Sequence, residues 1–324
     1  MTSRRLRTVF FGTADFAVPA LLALLEAGHE VLAVVTQPDK PQGRGMQLTA
    51  SPVKKAAERH GLPVMQPRRV RSASFIAKMR DLAPEILTLA AFGQIVPQEL
   101  LDLPPLGPIN VHGSLLPRYR GAAPLQRAVM AGEAETGVTT MWMDATLDTG
   151  DMLLARSLPI ESDDTAGTLF PKLAVLGAEL LIETLSGLAA GTLPRRPQDP
   201  SLATFAPALT PEDGLLSWNE PACALHHRIR GVSPKPGAFA EIAGRRVKVW
   251  ASQTAPDPAE QAPPGTLLAF SKHPPGVLVA AGQGTALLLT EAQPDSGKRM
   301  SADAWARGLR LALGERFAFG EVLG

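Results

Sequence analysis

The chain has 324 residues, enough for about two domains, and 45% of them are hydrophobic, which excludes wholesale disorder. A single cysteine, Cys223, excludes an intramolecular disulfide framework and any cysteine-cluster metal site. The formal net charge of +1 argues against a polyanion partner only as a sum, because Gln37–Arg80 carries ten basic and two acidic residues and the remainder sums to −7.

Met1-Thr-Ser-Arg-Arg-Leu-Arg runs directly into a strand pattern without an apolar signal region, and no apolar run reaches the length of a membrane span. With one cysteine, this predicts a cytoplasmic protein. Leu6–Gly12 reads as a short buried strand, Phe16–Ala27 as an apolar-faced helix stopped by Gly28, and Val31–Thr36 as a second strand. Gln37-Pro-Asp-Lys-Pro-Gln-Gly-Arg-Gly45 is too rich in breakers for regular structure. Ser51-Pro52 reads as an N-cap followed by proline at the first helical position, opening a helix to His60. A strand at Gly61–Met65, a helix at Ser72–Leu82 and strands at Glu85–Ala91 and Pro108–His112 follow. Next come a helix at Gly121–Ala131, a strand at Gly137–Met143 and a long helix at Asp164–Ala189.

This alternation predicts an α/β domain over residues 1–190 with a mostly parallel, doubly wound sheet. The first strand-turn-helix, Gly12-Thr-Ala-Asp-Phe-Ala17, lacks the G-x-G-x-x-G fingerprint, which disfavours a nicotinamide oxidoreductase. Residues 191–210, rich in Pro, Arg and small polar residues, read as a linker. In 211–324, short β runs at Ala238–Ile242, Arg245–Ala251, Gly265–Phe270, Gly276–Ala280 and Ala286–Ala292, with a closing helix at Ser301–Leu313, predict a small β-barrel of the oligonucleotide-binding type.

The densest chemical signal is Asn110-Val-His-Gly-Ser-Leu-Leu-Pro-Arg-Tyr-Arg-Gly-Ala-Ala-Pro124. Asn110 and His112 are two apart on a strand, so they share a face, and they sit at the strand's C-terminal end, where open α/β sheets bind ligands. Asp148, in Leu147-Asp-Thr-Gly-Asp151 after the next strand, is within reach across that crevice. Taken singly, His112 reads as a structural histidine, Asn110 as a strand-end residue and Asp148 as a turn former; the joint pattern favours catalysis. No activated nucleophile accompanies them, because Ser114 lacks a G-x-S-x-G elbow and Cys223 lies in the second domain. That points to direct acyl transfer, in which a protonated histidine and an amide stabilise an oxyanion and a carboxylate holds the histidine and helps move the amine proton. The six histidines show no H-x-x-x-H spacing, so no metal is expected.

With these segments, and with Phe11-Gly-Thr-Ala-Asp-Phe16, Thr36–Gly45, Ser51-Pro-Val-Lys54, Ala90-Ala-Phe-Gly-Gln-Ile-Val-Pro97, Glu135-Thr-Gly-Val138 and Val247-Lys-Val-Trp250, the chain resembles the 10-formyltetrahydrofolate-dependent formyltransferase superfamily. Within it, the chain is most similar to the branch that formylates methionyl initiator tRNA. The resemblance implies a Rossmann-like catalytic domain, the barrel after it, and Asn110, His112 and Asp148 as a catalytic trio working through a tetrahedral intermediate. It implies that the folate co-substrate lies along Ala91, Phe92, Gly93, Gln94 and Ile95, with Ser114, Leu115, Leu116, Pro117, Leu147 and Gly150, mainly on backbone groups, and that Leu116-Pro117 is cis. It also implies that the 37–52 loop enters the tRNA acceptor stem through Arg44. Lys54, Lys55, Arg59, Arg68, Arg69 and Arg71 read as phosphate contacts and Lys40 as a further tRNA contact, with Arg245 and Lys248 in the near-neutral barrel. A monomer is expected. The chain departs from the pattern in Phe92 for the frequent Tyr, Glu85 for Asp and Tyr119 for Trp. Two other readings stay open: a sister formyltransferase acting on an amino-sugar nucleotide, which the basic loop disfavours, and an RNA-binding factor on a degenerate Rossmann scaffold, which the intact trio disfavours.

Overall fold

The computed structural model describes residues 4–42, 46–256 and 262–318. They fold into two compact units. The first comprises the residues up to Pro124, Glu135–Pro159 and Phe170–Ala206; the second comprises Leu125–Ala134, Ile160–Leu169 and the residues from Pro207 onward.

In the first unit, β1 (Arg7–Gly12), β2 (Glu30–Val35), β3 (Val64–Met65), β4 (Ile86–Ala90), β5 (Pro108–His112), β6 (Glu135–Trp142) and β7 (Met152–Pro159) form one sheet in the order β7-β6-β5-β4-β1-β2-β3. The first five are mutually parallel, β6 pairs antiparallel to β5, and β7 pairs antiparallel to β6. Every residue of β4 is buried, as a parallel strand covered on both faces must be. β7 was not expected from the sequence. Its solvent-facing alternation is that of an antiparallel edge strand, whose polar half hides it among loop residues. The helices of this part of the chain are α1 (Val18–Glu26), α2 (Pro52–Arg59), α3 (Ala73–Leu82), α4 (Gln98–Leu101), α5 (Pro124–Met130) and α6 (Ala166–Ala189). Ser51 caps α2 as its sequence suggests, its hydroxyl accepting from the Lys54 N–H at 3.0 Å.

Three expectations for this unit need correction. The loop after β2 was expected to be irregular, yet Lys40–Gln42 pairs antiparallel with Gln47–Thr49. A two-stranded ribbon has an outer edge that needs no donor, so Pro41 is tolerated there. The segment expected as a linker is in large part structural. Arg196 and Met152 exchange backbone hydrogen bonds at 2.8 and 2.9 Å, and Phe205–Ala206 pairs with Arg120–Gly121, so residues 195–206 form a strap across the first unit. The paired Arg120–Gly121 also delays α5 to Pro124, where the sequence had suggested a start at Gly121.

In the second unit, β8 (Ala238–Ile242), β9 (Arg245–Ala255), β10 (Leu267–Lys272), β11 (Pro275–Ala280) and β12 (Ala286–Pro294) make an antiparallel sheet in the order β8-β9-β12-β11-β10. The C-terminal segment closes it. Phe317 N–H donates to the Gly265 carbonyl at 2.9 Å and Ala318 N–H to the Glu241 carbonyl at 2.7 Å, so this segment bridges the two edges into a barrel. Trp218, Trp305 and Phe317 fill its interior, with Phe317 4.7 Å from the Trp218 ring and 6.3 Å from the Trp305 ring. The unit also carries α7 (Ala222–Gly231) and α8 (Ala302–Gly308). α8 is shorter than the expected 301–313 because Arg310 takes a left-handed φ of 59°, which ends the helix. Among the described residues no helix is long and apolar enough to cross a membrane, and no group of three or more metal-binding side chains is present.

Candidate active site

β5 delivers Asn110 and His112 to the C-terminal end of the sheet, as the alternation of a strand requires. His112 is only 6% exposed. Its Nε2 lies 3.0 Å from the Tyr119 carbonyl. A carbonyl only accepts, so Nε2 carries a proton. That leaves Nδ1, which faces the Asp148 carboxylate with 3.6 Å between Nδ1 and Oδ2. The separation is an ion-pair distance, longer than a hydrogen bond. Asp148 Oδ2 also accepts from the Gly121 N–H at 2.9 Å. The three expected catalytic residues therefore come together at one sheet end.

Asp148 sits in the loop between β6 and β7 with φ at 52°, a left-handed conformation that a side chain adopts at a cost. Gly150 makes that loop possible, since a Cβ there would lie 1.8 Å from the Trp142 carbonyl. The strap supports the same loop from behind. Arg195 Nε donates to Asp151 Oδ2 at 2.9 Å while its guanidinium covers the Trp142 ring. Gln198 Nε2 donates to the carbonyls of Asp148 and Gly150, and Gln198 Oε1 accepts from Nε and Nη2 of Arg120. Sequence reasoning missed Gln198. It stands in a Pro- and Arg-rich run whose composition signals only a linker, and no spacing ties it to Asp148.

The expected folate residues divide. Ile95 is 85% exposed and Leu147 62% exposed, so apolar side chains stand open on two loops at this end of the sheet, as a flat heteroaromatic ligand requires. The Phe92 ring is instead packed edge-on against Phe11 at 5.3 Å. Its carbonyl accepts from the Thr13 hydroxyl and Gln37 Nε2, and the Ala91 carbonyl accepts from the Thr13 and Ala14 N–H groups. The Gly93 carbonyl also takes Gln37 Nε2, against which a Cβ on Gly93 would clash. What this loop offers a ligand is thus its N–H groups and Ile95. The Gln94 side chain accepts from the Val70 N–H and donates to the Pro67 carbonyl, anchoring the loop. The Ser114 hydroxyl is committed to the Arg118 carbonyl at 2.7 Å, which makes it a staple of the turn. Leu115 is half-buried and Leu116 buried, and the Leu116-Pro117 bond is cis.

Of the basic residues, Arg44 lies outside the described residues. Lys54 Nζ pairs with Asp39 Oδ2 at 2.8 Å, and this bond, ahead of a second one from Gln66, holds the Asp39 carboxyl below its ordinary pKa. Lys40 binds Gln37 Oε1. Lys55 is exposed, and Arg68 and Arg69 line an open cleft with Gln66, Ser72 and Lys78. In the second unit Arg245 is exposed, while Lys248 stands half-buried beside Trp250, whose ring is also covered by the Arg299 guanidinium at 3.4 Å.

A histidine between a carboxylate and a carbonyl, without a nucleophile, fits a direct group-transfer enzyme. Residues 6–185 match the family model described as formyl transferase, and residues 208–310 match the formyl transferase C-terminal domain. The methionyl-tRNA formyltransferase of Symbiobacterium thermophilum is 48% identical over 97% of this chain and 95% of its own length. That of Bacillus subtilis is 47% identical over 95% and 96%. The chain belongs to the methionyl-tRNA formyltransferase family. An N-formyltransferase from Helicobacter canadensis, solved with folinic acid and dTDP-3-aminofucose, superposes with a TM-score of 0.64 over 88% of this chain and 99% of its own. At 18% identity it shows the fold alone.

Proposed function

We propose that the protein transfers the formyl group of 10-formyltetrahydrofolate to the α-amino group of methionine on initiator tRNA, with Asn110, His112 and Asp148 as the catalytic residues. The observation that carries the proposal is the His112–Asp148 pair at 3.6 Å, on the strand that also presents Asn110, in a chain of this family.

As the amine adds to the formyl carbon, the carbonyl oxygen gains negative charge. His112 Nδ1 and the Asn110 carboxamide donate to it. The Asp148 carboxylate holds the ring of His112 in place and takes up the proton released by the amine, directly or through water; as the intermediate collapses, the bond between the formyl carbon and N10 of the folate breaks, and N10 leaves with a proton supplied through His112 or water. Tyr119 holds the other ring nitrogen, so the ring does not turn during the transfer. The apolar side chains of Ile95 and Leu147 and the N–H groups of 91–95 fit the pterin of the donor. The charge segregation supports the choice of acceptor: Arg44 of the 37–52 segment reads the acceptor stem, Lys55, Arg68 and Arg69 contact phosphates, and Arg245 and Lys248 serve the barrel's share of the tRNA.

Formylation of charged initiator tRNA is the test. Wild-type protein inactive with folate donor and tRNA ends the proposal; full activity of His112→Ala ends the role of the trio. Arg44→Ala should raise the KM for tRNA and leave donor binding intact, and an equal loss of both counts against the loop assignment.

A further inference from the structure

The geometry points to Gln198, backed by Arg120, as the residue that positions Asp148 for the transfer, which makes the 195–206 strap part of the catalytic apparatus. The inference rests on the catalytic role of Asp148 proposed above.

Gln198 is 8% exposed and Arg120 7% exposed. The orientation of the amide follows from its neighbours. Arg120 only donates, so it must face Oε1, and the carbonyls of Asp148 and Gly150 only accept, so they must face Nε2. Both Nε2 hydrogens are then used, at 2.8 Å to Asp148 and 2.7 Å to Gly150. One of the two carbonyls belongs to Asp148 itself, the residue that carries the left-handed φ, and the other lies two residues on, so Gln198 fixes the backbone where it is least comfortable. On the other side of the carboxylate stands Gly121, whose N–H meets Oδ2, and Gly121 is covalently next to Arg120. The contacts therefore close a ring: Asp148 carboxylate to Gly121 N–H, along the chain to Arg120, through its guanidinium to Gln198, and back to the Asp148 carbonyl.

The strap also braces the other half of the site. Thr204 Oγ1 accepts from the Tyr119 N–H at 2.8 Å and the Thr204 carbonyl from the Arg120 N–H at 2.8 Å. Residues 119, 120 and 121 thus address His112 Nε2, Gln198 and Asp148 in turn, and all three are seated on the strap. Gln198 touches no reacting group; it acts through Asp148.

The test compares Gln198→Ala and Gln198→Glu in the full-length protein, with thermal unfolding as a check on the fold. Glutamate keeps an oxygen for Arg120, and pairs its charge, but sets its second oxygen against two carbonyls. A role limited to neutralising Arg120 therefore predicts a near wild-type Gln198→Glu. Positioning predicts that folded Gln198→Glu loses roughly tenfold to a hundredfold in kcat while both KM values stay within about threefold. It also predicts that adding Gln198→Glu to Asp148→Asn costs no more than about twofold, read with a radiolabelled formyl donor, because the two residues act as one unit. Wild-type kcat in Gln198→Glu, or the same fold-loss in the Asp148→Asn background, overturns the inference. If Asp148→Asn itself retains the wild-type rate, the trio reading fails instead, so the two failures are distinguishable.

Discussion

The backbone carbonyl of Tyr119 holds the Nε2 proton of His112 at 3.0 Å. The histidine is thereby oriented by main chain, while the side chain of residue 119 plays no part in the bond. Tyr119→Trp should keep kcat within about threefold, since the ring is only half-buried and tryptophan keeps an aromatic face for the Arg118 guanidinium. Steady-state formylation checks it, and a hundredfold loss would show that the Tyr119 ring itself contributes.

In the proposed mechanism Asn110→Ala removes a donor to the developing oxyanion and nothing from the backbone of β5. Loss of one such donor costs about 10²–10³ in kcat. Single-turnover rates with tRNA and donor both saturating should show this loss with affinities little changed. A loss confined to KM would assign Asn110 to binding.

Gly150→Ala places a methyl against the Trp142 carbonyl, where the backbone has no room. The Asp148 loop must shift, at about 1–3 kcal/mol of stability for the overpacking. Formyl transfer should fall at least tenfold, because a displacement of about 1 Å at a catalytic group costs up to ~10²-fold. Denaturant unfolding alongside kcat separates the two effects.

Lys54 and Lys55 are neighbours in sequence with different fates. Lys54 is committed to Asp39, whereas Lys55 is exposed. Lys55→Ala should lower the slope of tRNA affinity against salt by about one. Lys54→Ala should leave the slope unchanged. Titrations across a range of salt concentrations decide, and identical slopes for the two variants would refute the distinction.

His29 provides a pH prediction. Burial lowers its pKa from the ordinary value of 6.5. Its Nδ1 accepts from the Leu6 N–H at 3.2 Å, and its buried Nε2 has no partner. Below about 6.5 the unfolded chain binds a proton that the folded chain refuses, so stability is complete above that value and falls as pH drops, by at most ~1.4 kcal/mol per pH unit. His29→Asn keeps an acceptor for Leu6 without titrating. Urea midpoints at pH 7.5 and 5.5 should therefore differ less in the variant than in the wild type.

The convergence of Asn110, His112 and Asp148 at one sheet end was legible in the sequence because each carries a local signal: a two-residue spacing on a strand for Asn110 and His112, and a Gly-bearing turn for Asp148. The N-cap at Ser51 was legible for the same reason. What was not legible is long-range. Gln198 meets Asp148 across 50 residues through its amide and two backbone carbonyls, and side chains that bind carbonyls leave no pairing pattern in sequence. The resemblance places Phe92 and Ser114 with the folate mainly through backbone groups, and no local pattern shows that their side chains pack on Phe11 and bind the Arg118 carbonyl. Lys54 looked like any basic residue of a basic segment until Asp39 folded onto it.

The strap has a practical bearing on how the enzyme can be divided. Helix α6 stops at Ala189, and a fragment ended there would still contain Asn110, His112 and Asp148. It would lack Gln198, Thr204 and the strand that pairs with Arg120–Gly121. The boundary that keeps the Asp148 loop and residues 119–121 braced falls after Ala206, so dividing the chain there, rather than after α6, preserves the hydrogen bonds around His112 and Asp148.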